Sequence, residues 1–428
     1  TPGYNNKLNS VYPSVSGSVV FTDALNLNWG PLDFGKIRAS WAKVGKDADP
    51  YSLTSVFQVQ NPVQGQPAAT LDFLAGNPNL APEFTTDFEI GTQLQFLKNA
   101  LTVDFAWYSR NSTNLIAPIT VPSSSGFNQA FFNIGGLENK GVELELGVTP
   151  VKTTDFSLNL GGIFTRNRSE TTELVTGVQR LTLNAVLTDI SSYLEVGQPF
   201  GVLRGSVNVR DEEGNLLINP TTGMMIRSTE PAVIGDPNPD YKAGLNLGAT
   251  YKGFFLNTLF DLTKGGDIYS VTVSSLLGRG VTKDTEDRET SYIIPGYYGD
   301  ENTGLPLLDA SGNKVRNTTA LSLNEVYFGE TFAINSATEW NVYDATLWTW
   351  RELTLGYTFP KSMFKRIPIG NLSLSFSARN LWYLAPNMPK HTNFNPEVNS
   401  FGASTTQGIE LSAVPTTRRY GLNLKVTF

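Results

Sequence analysis

Cysteine is absent from the 428 residues, and histidine occurs once, as His391. The first absence excludes disulfide scaffolding, thiolate metal sites and cysteine nucleophiles. The second argues against His-rich zinc sites and leaves one candidate for any Ser-His-Asp arrangement, in a polar loop where a histidine reads as a bystander. Charge is scarce: 17% of residues are Asp, Glu, Lys or Arg, against roughly 25% in ordinary globular chains. No excess of basic residues exists, since 32 Lys and Arg face 39 Asp and Glu, so there is no electrostatic footprint for nucleic acid. Nothing approaches the roughly 18 consecutive apolar residues of a membrane-crossing helix, so any membrane role belongs to strands. The chain opens at Thr1 without a charged and then apolar leader, so a signal peptide is absent or already removed.

What is present is aromatic (11%) and rich in glycine (39 residues), yet the mean hydropathy is slightly negative. Close alternation of apolar and polar residues reconciles these facts, and period-two alternation recurs throughout. Phe88, Ile90, Leu94 and Phe96 alternate with Glu89, Gly91, Gln93 and Gln95. Val142, Leu144, Leu146 and Val148 alternate with Glu143, Glu145 and Gly147. Leu353, Leu355, Tyr357 and Phe359 form another stripe, and Tyr420, Leu422, Leu424, Val426 and Phe428 the last. A soluble β-sandwich also alternates, but glycine suits ordinary strand interiors poorly. The stripes have the length of tilted membrane strands. Connections alternate between short turns, near 98–100, 151–154, 252–253 and 361–370, and long polar stretches at 44–83, 119–132, 172–198, 270–346 and 384–413.

This pattern predicts an all-β chain, a transmembrane antiparallel up-and-down β-barrel. Its strands fall at about 15–22, 36–43, 86–97, 100–116, 136–149, 155–168, 242–252, 254–269, 346–359, 371–383 and 416–428. The stretch 199–209 is a candidate short extension near the rim. Eleven strands are an odd number, whereas bacterial barrels close with an even one, and unpaired edges in lipid are costly. Residues 1–428 therefore read as the C-terminal part of one barrel domain, about eleven of a probable twenty-two strands, completed by a further stretch of chain or a second chain. With short turns on the periplasmic side, the last strand descends and ends at Phe428. Tyr420 and Phe428 on that strand are the expected barrel-insertion signal.

Chemistry is thinly represented. Asp211-Glu-Glu-Gly-Asn215 and Asp309-Ala-Ser-Gly-Asn313 look like calcium loops at a glance, but both lack the spaced acidic ladder and closing glutamate, and they read as tight turns. No metal, cofactor or catalytic residue is expected. Binding candidates are aromatic. Unbroken alternation aims Trp348 and Trp350 at the lumen, whereas a bulge near Arg351 turns both outward to an aromatic girdle. Tyr297, Tyr298, Trp340 and Phe394 are loop candidates for substrate or lid contact. Trp107, Tyr108 and Trp382 read as girdle residues.

Several phrases, in order along nearly the whole chain, resemble the SusC/RagA family of TonB-dependent outer-membrane transporters of Bacteroidetes. They include Tyr12-Pro-Ser-Val-Ser-Gly17, Lys36-Ile-Arg-Ala-Ser-Trp-Ala-Lys-Val-Gly45, Asn77-Pro-Asn-Leu-Ala-Pro-Glu83 and, most specifically, Phe132-Asn-Ile-Gly-Gly-Leu-Glu-Asn-Lys-Gly-Val-Glu-Leu144. Gly197-Gln-Pro-Phe-Gly201, Gly235-Asp-Pro-Asn-Pro-Asp240, Lys264-Gly-Gly-Asp267, Arg351-Glu-Leu-Thr-Leu-Gly-Tyr-Thr-Phe-Pro360 and Ala378-Arg-Asn-Leu-Trp382 continue the series. The resemblance implies a twenty-two-stranded barrel with an N-terminal plug and a TonB-binding segment, neither of which lies in this sequence. It also implies a SusD-like surface lipoprotein as lid, a TonB complex engaged through the absent N-terminal region, and an oligosaccharide or oligopeptide substrate. The expected function is TonB-dependent import across the outer membrane, by a multi-pass protein in contact with its lipid. A passive porin or structural barrel subunit is the alternative, and a surface adhesin a third reading.

Overall fold

The computed structural model describes residues 11–27, 29–187, 189–331, 336–364, 368–402 and 406–428. All eleven expected strands are present. They are β1 (Ser14–Val20), β2 (Leu32–Lys46), β3 (Glu83–Phe96), β4 (Leu101–Thr120), β5 (Gln129–Lys152), β6 (Phe156–Leu174), β7 (Pro239–Tyr251), β8 (Phe254–Gly265), β9 (Leu347–Phe359), β10 (Asn371–Leu384) and β11 (Arg419–Thr427). Their hydrogen-bonded order is their chain order, the up-and-down arrangement that short turns enforce. The stretch 199–209 contributes the strand Val202–Gly205, which lies in a separate small sheet. Of the expected 361–370 turn, residues 365–367 lie outside the described residues.

Two compact units divide the chain. The first comprises Thr1–Thr182, Leu194–Phe200 and Ala243–Phe255, and is dominated by the long strands β2 to β6. Register follows the alternation residue by residue: Ile90 faces Trp107, Trp107 faces Val142, and Leu144 faces Phe164. Because the side-chain period is two, this register gathers the apolar residues on one face of the sheet and the polar ones on the other. The apolar face is not covered. Ile37 is 48% exposed and Ile90 43%, where an aqueous monomer would bury such a stripe.

Tight turns need backbone in the left-handed region, and the turn residues supply it. Leu97, Lys98 and Asn99 all have positive φ, and the Asp33 carboxylate caps the turn by accepting from the Lys98 and Asn99 amides. Lys252 and Gly253, between β7 and β8, are likewise left-handed, as a two-residue hairpin with primed turn geometry requires.

The second unit comprises Leu183–Tyr193, Gly201–Lys242 and Leu256–Phe428. It joins β9, β10, β11 and most of β8 to an extension built from the long connections. Among the described residues, three small cores hold the extension. One gathers Ile218, Met225, Ile294, Leu321 and Val326. A second gathers Ile190, Leu203, Tyr269 and Ile409, and a third Ile268, Val273, Leu277 and Met388. A helix, Val271–Gly278, begins at Ser270, whose hydroxyl accepts from the Val273 amide in the usual N-cap manner. The same hydroxyl donates to Glu410 at 2.6 Å. Glu410 is fully buried and accepts also from the Thr272 hydroxyl and amide and the Ala413 amide. A buried carboxylate requires such complete satisfaction.

Candidate functional site

On the polar face of the first unit, side chains opposed across four strands enclose a cavity of about 360 Å³. Glu89 of β3 faces Tyr108 of β4, which faces Gly141 of β5, which faces Asn167 of β6. One pair along, Asp87 faces Arg110 and Arg110 faces Asn139. Arg110 contacts Asp87 at 3.1 Å, the Tyr108 hydroxyl donates to Asn167 at 3.0 Å, and Asn167 donates to Asn139 at 3.2 Å. Arg38 lies nearby between Asp104 and Glu89.

Glycine makes this layer possible. A Cβ on Gly141 would lie 2.4 Å from the Tyr108 hydroxyl and 2.6 Å from the Arg166 carbonyl; one on Gly91 would lie 2.7 Å from the Arg38 guanidinium. Long polar side chains thus lie flat across the strand surface where a methyl group would stand. The glycines that distinguish this sequence from an ordinary strand protein serve that purpose at these two positions. The expectation that Tyr108 joins Trp107 in a girdle is corrected by the same geometry. Adjacent residues on a strand face opposite ways, so Trp107 packs edge-on against Phe88 on the apolar face while Tyr108 joins the polar layer. Strict alternation along 104–110 is the signal that finds Tyr108 and Arg110, and the same parity on the neighbouring strands carries Asp87, Asn139, Glu143 and Asn167.

In the second unit, pairing between β9 and β10 shifts register between Trp350 and Glu352. Arg351 there opposes two residues, Asn380 and Leu381, and Asn380 adopts positive φ, as β-bulges allow. Trp350 stacks on Phe260, a residue of the apolar stripe of β8, at 5.6 Å between ring centres, and its indole N–H donates to Thr258. Trp348 is 48% exposed. Arg351 turns to the other side, where it meets Asp261 at 2.8 Å and Glu397 at 2.8 Å. Glu397 belongs to the long connection after β10, so the arginine ties that loop to the sheet.

The loop aromatics sit in the extension's cores. Trp340 and Tyr298 pack against the first core, and the Trp340 indole N–H donates to Asn208 at 2.7 Å. Hydrogen bonds from Thr318, then Thr319, hold the Tyr298 phenol down to about 8. Phe394 packs against the third core. Tyr297 carries the Lys314 ammonium 5.6 Å from its ring centre. Tyr420 stacks on Phe376, and Phe428 is exposed.

The two calcium-like stretches are turns within a pair of knuckles, 207–227 and 297–316. Asp211 accepts from the amides of Glu213 and Asn215, and Asp309 from those of Ser311 and Asn313. The knuckles pair in parallel through Leu217 with Tyr297 and Ile218 with Tyr298. Lys314 reaches across to Asp211 at 2.8 Å and Glu213 at 3.2 Å, and holds the Asp211 carboxyl down to about 2. His391, read as a bystander, lies 3.2 Å from Asp284 through its Nδ1.

The family model described as TonB dependent receptor-like, beta-barrel matches residues 2–381. The chain belongs to this TonB-dependent receptor family. It is 24% identical over 420 residues to TonB-dependent receptor P3 of Formosa agariphila, covering 91% of this chain and 39% of that protein. It is 22% identical over 426 residues to TonB-dependent receptor SusC of Bacteroides thetaiotaomicron, covering 92% and 37%. Among solved structures it is similar to the RagAB peptide importer in its closed-closed state, with a TM-score of 0.69 and 20% identity over 97% of this chain and 43% of that one. That likeness shows the receptor-barrel fold. The chain spans about two fifths of the length of the curated receptors it matches.

Proposed function

We propose that residues 1–428 form part of the barrel domain of a multi-pass outer-membrane importer of a bulky nutrient, an oligosaccharide or an oligopeptide. A SusD-like surface lipoprotein serves as lid, and a TonB complex supplies work through a part of the protein outside this sequence. The observation that carries the reading is an eleven-stranded antiparallel sheet with an uncovered apolar face and an ordered polar face, in a chain of the TonB-dependent receptor family. The peptide importer RagAB, whose fold this chain shares, is consistent with an oligopeptide nutrient, and the lipoprotein pairing rests on the SusC/RagA-like phrases of the sequence. The residues do binding and guiding, not catalysis.

Within that reading, Tyr297 is a candidate ligand contact, and Trp348, exposed on the face where Trp350 stacks on Phe260, is read with the aromatic girdle. Trp350, Trp340, Tyr298 and Phe394 act through packing, holding the surfaces that meet the ligand. Tyr420 and Phe428 form the insertion signal. The test is mild-detergent extraction of native outer membranes, capture of this chain and mass spectrometry of the intact complex, paired with uptake in cells with and without an energised TonB system. Recovery of a lipoprotein and loss of uptake without TonB are expected. Uptake that persists without TonB would transfer the assignment to a passive porin.

A further inference from the structure

On the apolar face of the first unit, residues paired across the strands project on the same side and form rows. One row runs Ile90, Trp107, Val142 and Arg166. The next, farther from the short turns, runs Phe88, Ser109 and Lys140. Lys43, Thr86, Asn111 and Glu138 form the one beyond. Going up this face from Gly35, Val148 and Leu158, the first ionisable side chain on β2, β5 and β6 is a cation: Lys43, Lys140 and Arg166. These cations step down one row from β2 to β5 and another to β6. The turns drift the same way, since β5 runs on past Val148, opposite Leu101 at the start of β4, to Lys152. Strands tilted by about 35–45° make such an oblique line level. On β6, residues 156–165 precede Arg166, matching the roughly 9–11 residues that cross the hydrocarbon. The cations therefore mark the edge of the lipid-facing band, with Trp107 beside them in the place of a girdle residue.

We infer that Lys140 and Arg166 bind the phosphate of an outer-leaflet lipid headgroup, whose chains lie along the apolar rows beneath, such as Phe105, Leu144 and Phe164. Arg166 is exposed and has no hydrogen bond or ion pair among the described residues. A charge on the lipid side costs more the deeper it lies, so a guanidinium at the edge gains most from an anion at its own level. Its planar fork matches phosphate through two parallel bonds. The Lys140 side chain is 52% exposed and meets Glu138 at 2.8 Å; exposed pairs hold weakly, and an ammonium has three donors. Arg168 faces Lys140 but has contacts of its own, so the site is assigned to the other two. Glu138 and Glu170 face each other one row beyond Lys140. The order up this face is thus apolar, cationic and then acidic, and the cationic level is the one that coincides with lipid phosphate. The site depends on the membrane placement within the import reading, where the short turns are periplasmic, and adds a lipid partner to it.

The experiment uses the full transporter purified in detergent. Native mass spectrometry measures retention of bisphosphorylated lipid A and of the same lipid stripped of its phosphates. Each is repeated with K140Q/R166Q, with R166Q alone, and with K98Q in a turn at the opposite end of the strands. The wild type and K98Q are expected to retain the phosphorylated lipid at least fivefold better than the stripped one. K140Q/R166Q is expected to retain both at the stripped level, and R166Q to fall between. Inorganic phosphate at the concentration of the lipid is expected to leave the lipid bound. Equal retention of the two lipids by the wild type, an undiminished preference in the glutamine variants, or displacement by inorganic phosphate overturns the inference. Heat-shifted gel migration checks that each variant is an assembled barrel, and R166Q decides the matter if the double variant does not assemble. Reconstitution of the wild type into vesicles of phosphatidylcholine alone keeps the readings apart. If the protein inserts there but shows no preference for phosphate, only the lipid site falls; if it does not insert, the membrane placement falls with it.

Discussion

The first unit and the extension of the second solve the problem of stability in opposite ways. In the first, each residue of β3 to β6 is specified by its parity, and hydrogen-bonded ladders carry the structure while the apolar face stays uncovered. The extension has few regular strands. It depends on three small apolar cores and on individual polar contacts such as Glu410 with Ser270 and Lys314 with Asp211. The difference teaches that the sheet tolerates side-chain variation of the right polarity, whereas the extension depends on particular pairs.

A charge on the apolar face breaks the sheet's side of this contrast most strongly. Leu144→Arg is expected to cost about 2–4 kcal/mol at mid-membrane depth and to lower the yield of assembled barrel, read by heat-shifted gel migration. Glu143→Arg, one residue away on the polar face, should assemble normally. On the extension's side, Glu410→Ala removes the acceptor of four hydrogen bonds. A loss of about 3 kcal/mol is expected from stranded buried donors, seen as faster hydrogen exchange in 270–278 and 406–413 while the sheet stays protected.

Smaller effects sharpen the comparison. Gly141→Ala forces Tyr108 off its strand and presses on the Arg166 carbonyl, so a loss of about 1–2 kcal/mol is expected, with nutrient affinity changed more than assembly. The smallest effect belongs to Lys314→Ala. Asp211 is held at about 2 by Lys314, below the ordinary value of roughly 3.9. A lowered carboxyl contributes stability that is fully present above the unfolded value and is lost as pH falls from about 4 towards 2. In the wild type, hydrogen exchange across 207–227 should therefore rise as pH falls from about 4 towards 2, whereas in the variant it should already be faster at neutral pH and change less over that window.

Parity made the sheet legible. Every strand from β1 to β11 could be placed from alternation alone, because a two-residue period needs no knowledge of distant partners. Where alternation breaks, reading fails or forks. Arg351 and Asn380 show why: a bulge reverses facing, and its position depends on whether Asp261 and Glu397 are there to receive the arginine. The loop aromatics were legible as residues of interest but not as members of cores, since Trp340 meets Asn208 from 132 residues away. Glu410 carried no local signal for Ser270: only folding brings the two together across 140 residues.

One small sheet of the extension has a consequence for the order of events during folding. Asp267–Ser270 lies between Val342–Asp344, from the far end of the same connection between β8 and β9, and Ile409–Glu410, from the connection between β10 and β11. Its last member comes from just ahead of β11, so the sheet cannot close until all the strands before β11 have been synthesised. Such distant pairings form late because loop closure must precede their reward. Closure of this sheet thus waits on Ile409 and Glu410: the two connections lock together only after the chain has been made past β10.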